Sequence, residues 1–274
     1  MPDPAEPFGN TEPHVNTEPF VKTRADAPAD FFAWEAAGLG WLSGNLDGRD
    51  ADPGRAAVVG VREFDEHRIV LERVDGAPAT ARAAEGFGHA LAVTHALGAA
   101  AFGVGPPRWS GDGYIGRQRL GLQPFSRWGE FYAQTRLLPY ARAARRVGNL
   151  GADALSAVER VCARLTAGEF DDDRPPSRIH GDLWGGNLLY SPGGAVLIDP
   201  AAHGGHGLTD LAMLELFGTQ HLARVQAAYA ESAELAPGWR ELIGVHQLHP
   251  VLVHAVSHGP SYGAHAHQIA DKYA

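Results

Sequence analysis

The sequence predicts an α+β fold of two lobes, a small strand-rich first lobe and a large helical second lobe. Three observations predict it. Short apolar runs with strand character are confined to the first 75 residues and to one hairpin near residue 190. Helical periodicity dominates the rest. Between the two, Asp75-Gly76-Ala77-Pro78 breaks the pattern, as a hinge would. The expected boundaries are 1–75 and 76–274, with a ligand cleft where the lobes meet.

Residues 1–19 carry Pro2, Pro4, Pro7, Pro13 and Pro19 and are expected to be extended or disordered. Phe20-Val21-Lys22-Thr23 reads as a strand end. Asp26-Ala27-Pro28 then starts a helix to about Leu42, with Asp26 as its cap. Phe31, Phe32, Leu39 and Leu42 mark its apolar side, and Glu35 falls on that stripe. A carboxylate there needs a cation, and Lys22 is the natural one. Ala56 to Val61 and Ile69 to Val74 read as two strands around a turn at Asp65-Glu66-His67. Residues 81–99 are helical, with His95 on the core face. Gly103 to Gly116 is a Gly- and Pro-rich loop. Trp128 to Arg146 is a helix interrupted near Pro139, and Ala152 to Ala167 is a second. After Asp199, Pro200 to Gly207 reads as a loop without room for packing. Thr209-Asp210 opens a helix to Phe217, and helices fill His221–Leu235, Gly238–Ser257 and Tyr262–Tyr273.

Composition excludes several classes. With 45% hydrophobic and 20% charged residues the chain is globular, and a formal charge of −9 without a basic stripe argues against nucleic acid. Cys162 stands alone, so no internal disulfide forms and a cytoplasmic setting is expected. No apolar run approaches the ~20 residues of a membrane span. A small-molecule substrate and a monomer or weak dimer are the expectation.

The chemistry concentrates in residues 180–199. His180-Gly181-Asp182-Leu183-Trp184-Gly185-Gly186-Asn187 precedes two apolar runs joined by Ser191-Pro192-Gly193-Gly194, and Asp199 ends the second run. If the runs pair as a hairpin, Asp182, Asn187 and Asp199 meet at its open end. Two carboxylates and an amide suit a hard cation such as Mg²⁺. Asp-x-x-x-x-Asn followed twelve residues later by Asp also repeats the spacing of kinase-like phosphotransferases, in which the first Asp receives the hydroxyl proton and the other two residues hold magnesium on ATP.

With Ile198-Asp199-Pro200-Ala201 and Asp210-Leu211-Ala212-Met213-Leu214-Glu215-Leu216-Phe217-Gly218, this stretch resembles the fructosamine kinase (ketosamine 3-kinase) family, which shares the protein-kinase-like fold of aminoglycoside phosphotransferases. Further matches are Phe20 to Thr23, Glu35, Ile115-Gly116, Trp128 with Phe131, Arg136-Leu137, and Gln247 to His254 with Gly263. The resemblance implies phosphorylation of a sugar hydroxyl of a ketosamine or glycated amine, using ATP and Mg²⁺. It implies Asp182 as the base, Asn187 and Asp199 as magnesium ligands, Lys22 on the phosphates with Glu35 holding it, and Glu72 beside adenine. It places His180 and Asp210 behind the catalytic loop; Trp184, whose aromatic face would pack on the C–H face of a sugar, and His206 are assigned to the substrate.

Two departures leave alternatives open. Only 21 residues precede Lys22 and five of those are prolines, so a full phosphate-binding hairpin is not expected there, with Phe8-Gly9-Asn10-Thr11 as a remnant and weaker nucleotide binding. The family's Gly-His-Arg-Glu is here Gly205-His206-Gly207-Leu208. A kinase of another aminosugar or amino alcohol, or a nucleotide-binding module of weakened activity, therefore stands beside the first reading. A zinc site of His203, His206, His246 and His249 is a further alternative that needs three or four converging ligands.

Overall fold

The computed structural model describes residues 18–44 and 54–274; the expectations for residues 1–17, including the Phe8–Thr11 turn, lie outside it. The strands are β1 (Phe20–Thr23), β2 (Ala57–Val58), β3 (Val61–Phe64), β4 (Arg68–Leu71), β5 (Gly113–Ile115), β6 (Gln118–Leu120), β7 (Ser177–Ile179), β8 (Leu188–Ser191), β9 (Gly194–Leu197) and β10 (His203–Gly205). The helices are α1 (Phe31–Leu42), α2 (Ala81–Ala96), α3 (Trp128–Phe131), α4 (Leu138–Arg146), α5 (Ala152–Ala167), α6 (Leu208–Phe217), α7 (Leu222–Ser232), α8 (Ile243–Ser257) and α9 (Pro260–Tyr273).

β1, β4 and β3 form an antiparallel sheet in that order, with Lys22 opposite Ile69. Helix α1 lies on it through Phe32 and Leu39, which pack with Ile69 and Leu71. Its cap is Asp30 rather than Asp26. Asp26 is instead drawn to Arg24 and Arg117, and Pro28 lies outside the helix. The run Ala56–Val61 is not one strand. Ala57 and Val58 pair in parallel with Val196 and Leu197 of β9, and only from Val61 does the chain join β4. The chain before β3 is thereby tied to the hairpin that carries Asn187 and Asp199.

The second half packs α4, α5, α8 and α9 around one apolar core and α2, α6 and α7 around another. Thr80 caps α2 by accepting from the Ala83 N–H at 3.1 Å. The interruption near Pro139 is a π-helical stretch, Tyr132–Leu137, joining α3 to α4. Proline has no N–H to give, and a widened turn accommodates the break. The supposed loop from Gly103 to Gly116 contains β5, paired with β6. Likewise Pro200 to Gly207 is packed: β10 pairs with β7, and all three of its residues are buried. A Cβ on Gly204 would stand 2.2 Å from the Ala101 carbonyl, so this strand admits only glycine there. No helix among the described residues is long and apolar enough to cross a membrane.

Candidate active site

The hairpin forms as its turn residues demand: Leu188 pairs with Leu197 and Ser191 with Gly194. The ladder extends one step past the open end, where the Ile198 N–H donates to the Asn187 carbonyl at 3.1 Å. The chain then leaves through Asp199 at φ +53°, a left-handed conformation that Asp tolerates better than most residues. Asn187 Nδ2 donates to the Asp182 carbonyl at 2.8 Å and lies 3.5 Å from Asp182 Oδ2 and 3.4 Å from the Asp199 carbonyl. The three residues named by spacing therefore meet at one point.

Lys22 comes to the same point from β1. Its Nζ lies 2.8 Å from Glu35 Oε2 and 3.0 Å from Asp199 Oδ1. Burial works against its ammonium, but the two carboxylates outweigh burial and hold it above the ordinary lysine range. Glu35, 4% exposed on α1, is pushed up to about 7 by burial, with Lys22 pulling the other way and Asp199 reinforcing the rise. Asp182 is likewise pushed up to about 7 by burial and by the charges of Asp199 and Asp210. Glu35 Oε1 is buried and has no hydrogen-bond partner among the described residues. Glu35 and Asp199 thus share one ammonium with Asp182 close by, and the hard oxygens of Asp199 and Asn187 are of the kind a divalent cation takes.

Behind the loop, Asp210 is fully buried at the start of α6. It accepts the His180 N–H at 2.8 Å, the Gly181 N–H at 2.9 Å and His95 Nε2 at 3.0 Å. Burial alone would raise its carboxyl, but the His95 hydrogen bond and charge keep it below the usual range. His95 Nδ1 in turn meets the Tyr229 hydroxyl at 2.7 Å. His180, fully buried, donates from Nε2 to the Ile198 carbonyl at 2.8 Å, and its Nδ1 accepts the Asp182 N–H at 3.3 Å. Gly181 sits at φ +79°, where a Cβ would come within 2.4 Å of the Ala201 carbonyl, so only glycine lets the chain cross here. His95 was legible in the sequence as a core histidine; its grip on Asp210 was not, because their separation of 115 residues leaves no local pattern.

Two cavities meet at Asp182. One of about 210 Å³ is lined by Lys22, Glu35, Asn187, Asp199 and the rings of Phe31 and Tyr114. The other, about 670 Å³, opens beyond Asp182 and Trp184 and is lined by Met213, Phe217, Val253, His254 and Tyr262. Trp184, 44% exposed, walls both. Its ring is seated on Gly186, where a Cβ would stand 2.3 Å from it. Phe31, Tyr114 and the α8–α9 residues were missed as site residues. Their apolar character reads as core, and only the fold carries them to the cleft.

Two sequence-derived assignments need correction. His206 lines neither cavity. It is 4% exposed, 3.0 Å from Asp172 Oδ1, and packed between the rings of Trp128 and His246. Glu72 also lines neither cavity. Its N–H is spent on the Gly60 carbonyl at 2.8 Å, and its exposed side chain lies over Gly60. As for zinc, no group of three or more His, Cys, Asp or Glu side chains among the described residues is placed to hold a metal ion. His203 bonds the Ala201 carbonyl and His246 the Thr209 hydroxyl.

Comparison with known proteins adds to this geometry. The fructosamine kinase family model matches residues 11–274. A candidate ketoamine kinase of Synechocystis sp. is 35% identical over 185 residues, which are 66% of this chain and 59% of the relative. One from Vibrio vulnificus is 30% identical over 164 residues, 59% of this chain and 54% of the relative. The chain thus spans less than two thirds of the length of either. The crystal structure of a candidate fructosamine-3-kinase from Thermobifida fusca superposes with a TM-score of 0.83 at 46% identity, covering 93% of this chain and 85% of that one. The aminoglycoside phosphotransferase APH(4)-Ia, at 15% identity and a TM-score of 0.55 over 88% and 83% of the two chains, shares the fold.

Proposed function

Because this chain belongs to the fructosamine kinase family, we propose that it transfers the γ-phosphoryl group of ATP to a sugar hydroxyl of a ketoamine. On this reading the chain serves the repair of glycated amines in the cytoplasm. The observation that carries the reading is the meeting of Lys22, Asp182, Asn187 and Asp199 where the two cavities join. The triphosphate lies in the smaller cavity and the acceptor in the larger. Lys22, fixed by Glu35, holds phosphate oxygens. Asp199 and Asn187 would hold magnesium through their side-chain oxygens, and the ion would supply positive charge against the phosphates. Asp182 takes the proton of the acceptor hydroxyl as the new O–P bond forms and the bond to the leaving diphosphate breaks. Little covalent work falls to the protein, so holding these groups in place is most of the catalysis.

An aminoglycoside acceptor is the second reading, and the larger cavity argues against it. Among the described residues Asp182 is its one lining carboxylate, so a polycationic sugar finds no second anionic partner among them. Asp210 is spent on the backbone behind the loop. A module that only binds nucleotide has no need of a placed base, yet Asp182 faces both cavities.

The test is ATP turnover on a panel of glycated amines and aminoglycosides, wild type against Asp182→Asn. The variant is expected to fold normally and lose more than ~100-fold in turnover. Turnover within a few-fold of wild type would remove Asp182 from the chemistry.

A further inference from the structure

Arg136 lies in the π-helical stretch between α3 and α4, is 1% exposed and lines neither cavity. Its Nη1 donates to the Gly121 carbonyl at 2.9 Å and reaches the Thr135 carbonyl and hydroxyl, each at 3.3 Å. The guanidinium carbon stands 4.7 Å from the centroid of the Phe131 ring. Nε and Nη2 are both buried, and neither has a hydrogen-bond partner among the described residues. These two nitrogens form one edge of the guanidinium plane. Their N–H groups point the same way, and that edge is the fork with which arginine grips an anion.

No ionisable group among the described residues takes this edge. Tyr132 donates to the His246 carbonyl at 2.8 Å and Tyr140 to the Arg119 carbonyl at 2.7 Å, and burial holds both phenols above their ordinary range. Asp112 is the carboxylate whose charge reaches Arg136. It is half-exposed, accepts the Leu122 N–H at 3.3 Å and lies 3.9 Å from Arg119. His203 and His249 also feel the Arg136 charge, which adds to burial in keeping both rings neutral. His249 packs its ring 5.0 Å from that of Tyr140, and its Nε2 is likewise buried with no partner among the described residues. Burial pulls Arg136 down to about 10, which leaves it charged at neutral pH.

We propose that a chloride ion sits on the Nε–Nη2 edge of Arg136, as a structural ion behind the larger cavity. Water can accept two N–H bonds but brings no charge, and a buried cation without an opposite charge is costly. The edge is closed to solvent, so a monatomic anion suits it better than a hydrated oxyanion. The ion would steady the cavity wall from behind. Gly121, held by Arg136, follows β6, whose Gln118 lines the cavity with Ile115 of β5. His249 precedes Pro250, which lines it from α8. The inference does not depend on which acceptor the cavity takes.

The test uses the full chain. Crystals grown with sodium bromide in place of chloride are expected to show an anomalous peak in contact with Arg136 Nε and Nη2. At fixed ionic strength, urea unfolding is expected to give a folding equilibrium constant about tenfold higher in about 100 mM chloride than in gluconate, as for a site with a Kd of about 10 mM. Arg136→Lys keeps the charge and removes the fork, and should erase that difference. If this variant does not fold, the two measurements on the wild type decide alone. Water on the fork with no anomalous peak overturns the proposal, and so does a chloride effect that Arg136→Lys retains. A peak without any chloride dependence marks an adventitious ion only and overturns it as well.

Discussion

Behind Asp182, polar groups are committed to one another: Asp210 takes two backbone N–H groups and His95, His95 takes Tyr229, and His180 is bonded at both ring nitrogens. In front of Asp182 the wall is made of faces. Trp184 is 44% exposed, and His254 and Tyr262 present rings to an open cavity. A satisfied buried network has one arrangement and fixes the catalytic loop, whereas an apolar wall can exchange one ring for another at small cost in stability. The chemistry is thereby held constant on one side while specificity is free to vary on the other. If so, mutations behind the loop cost stability, and mutations in front of it cost acceptor affinity.

The sharpest way to break this contrast is Asp210→Ala. It strands the His180 and Gly181 N–H groups and removes the partner of His95 in a fully buried place. The expected loss is about 3–5 kcal/mol of unfolding free energy. Urea unfolding measures it, and a loss under ~1 kcal/mol would mean the network is not what holds the loop.

Acid probes the same region with the next largest effect. His180, His203, His246 and His249 are all fully buried, and burial holds each imidazole below its ordinary range, His203 down to about 3. The unfolded chain protonates these rings below pH ~6.5 while the native state refuses the protons. Their contribution is thus full above ~6.5 and is lost as pH falls. Glu35 and Asp182, raised to about 7, act in the opposite sense, because the native state keeps protons that the unfolded chain releases. His203, His246 and His249, the three rings held well below that range, outnumber the two carboxyls. Stability should peak near neutrality and fall toward pH 5 by no more than about 3 kcal/mol per pH unit. Denaturant midpoints at pH 5, 6 and 7 check this, and a flat or rising profile toward acid would contradict it.

The two sides also differ in how much of them could be read from sequence. The hairpin was legible because Ser191-Pro192-Gly193-Gly194 admits little but a turn, and a turn fixes the register that brings Asn187 and Asp199 together. The Lys22–Glu35 pair was legible because a carboxylate on an apolar stripe requires a cation. His206 was misplaced because its glycine-rich neighbourhood reads as an open loop. In the fold those glycines let β10 press against β7 and the Ala101 carbonyl, which buries the histidine. The ring wall was invisible for a related reason. His254 and Tyr262 sit at ordinary helical spacing, and nothing local separates a residue facing a cleft from one facing a core.

The smallest effect, and the most selective, is expected from Trp184→Ala. The ring is 44% exposed, and its hydrogen bonds to the loop are backbone bonds, which the substitution keeps. Unfolding free energy should therefore change by no more than ~0.5 kcal/mol, as for most surface substitutions. The ring nevertheless lines the larger cavity beside Asp182, where an aromatic face can pack on the C–H face of a sugar. Removing it should raise the acceptor KM roughly tenfold and the ATP KM less than twofold, because on the proposed reading Lys22, Asn187 and Asp199 hold the nucleotide without it. Gly186→Ala offers a gradation, since the added methyl displaces the ring without deleting it, and should move the acceptor KM in the same direction by less. Equal shifts in both KM values would show that Trp184 serves the nucleotide side as much as the acceptor side. The division between a fixed chemical wall and an exchangeable specificity wall would then not run through Asp182.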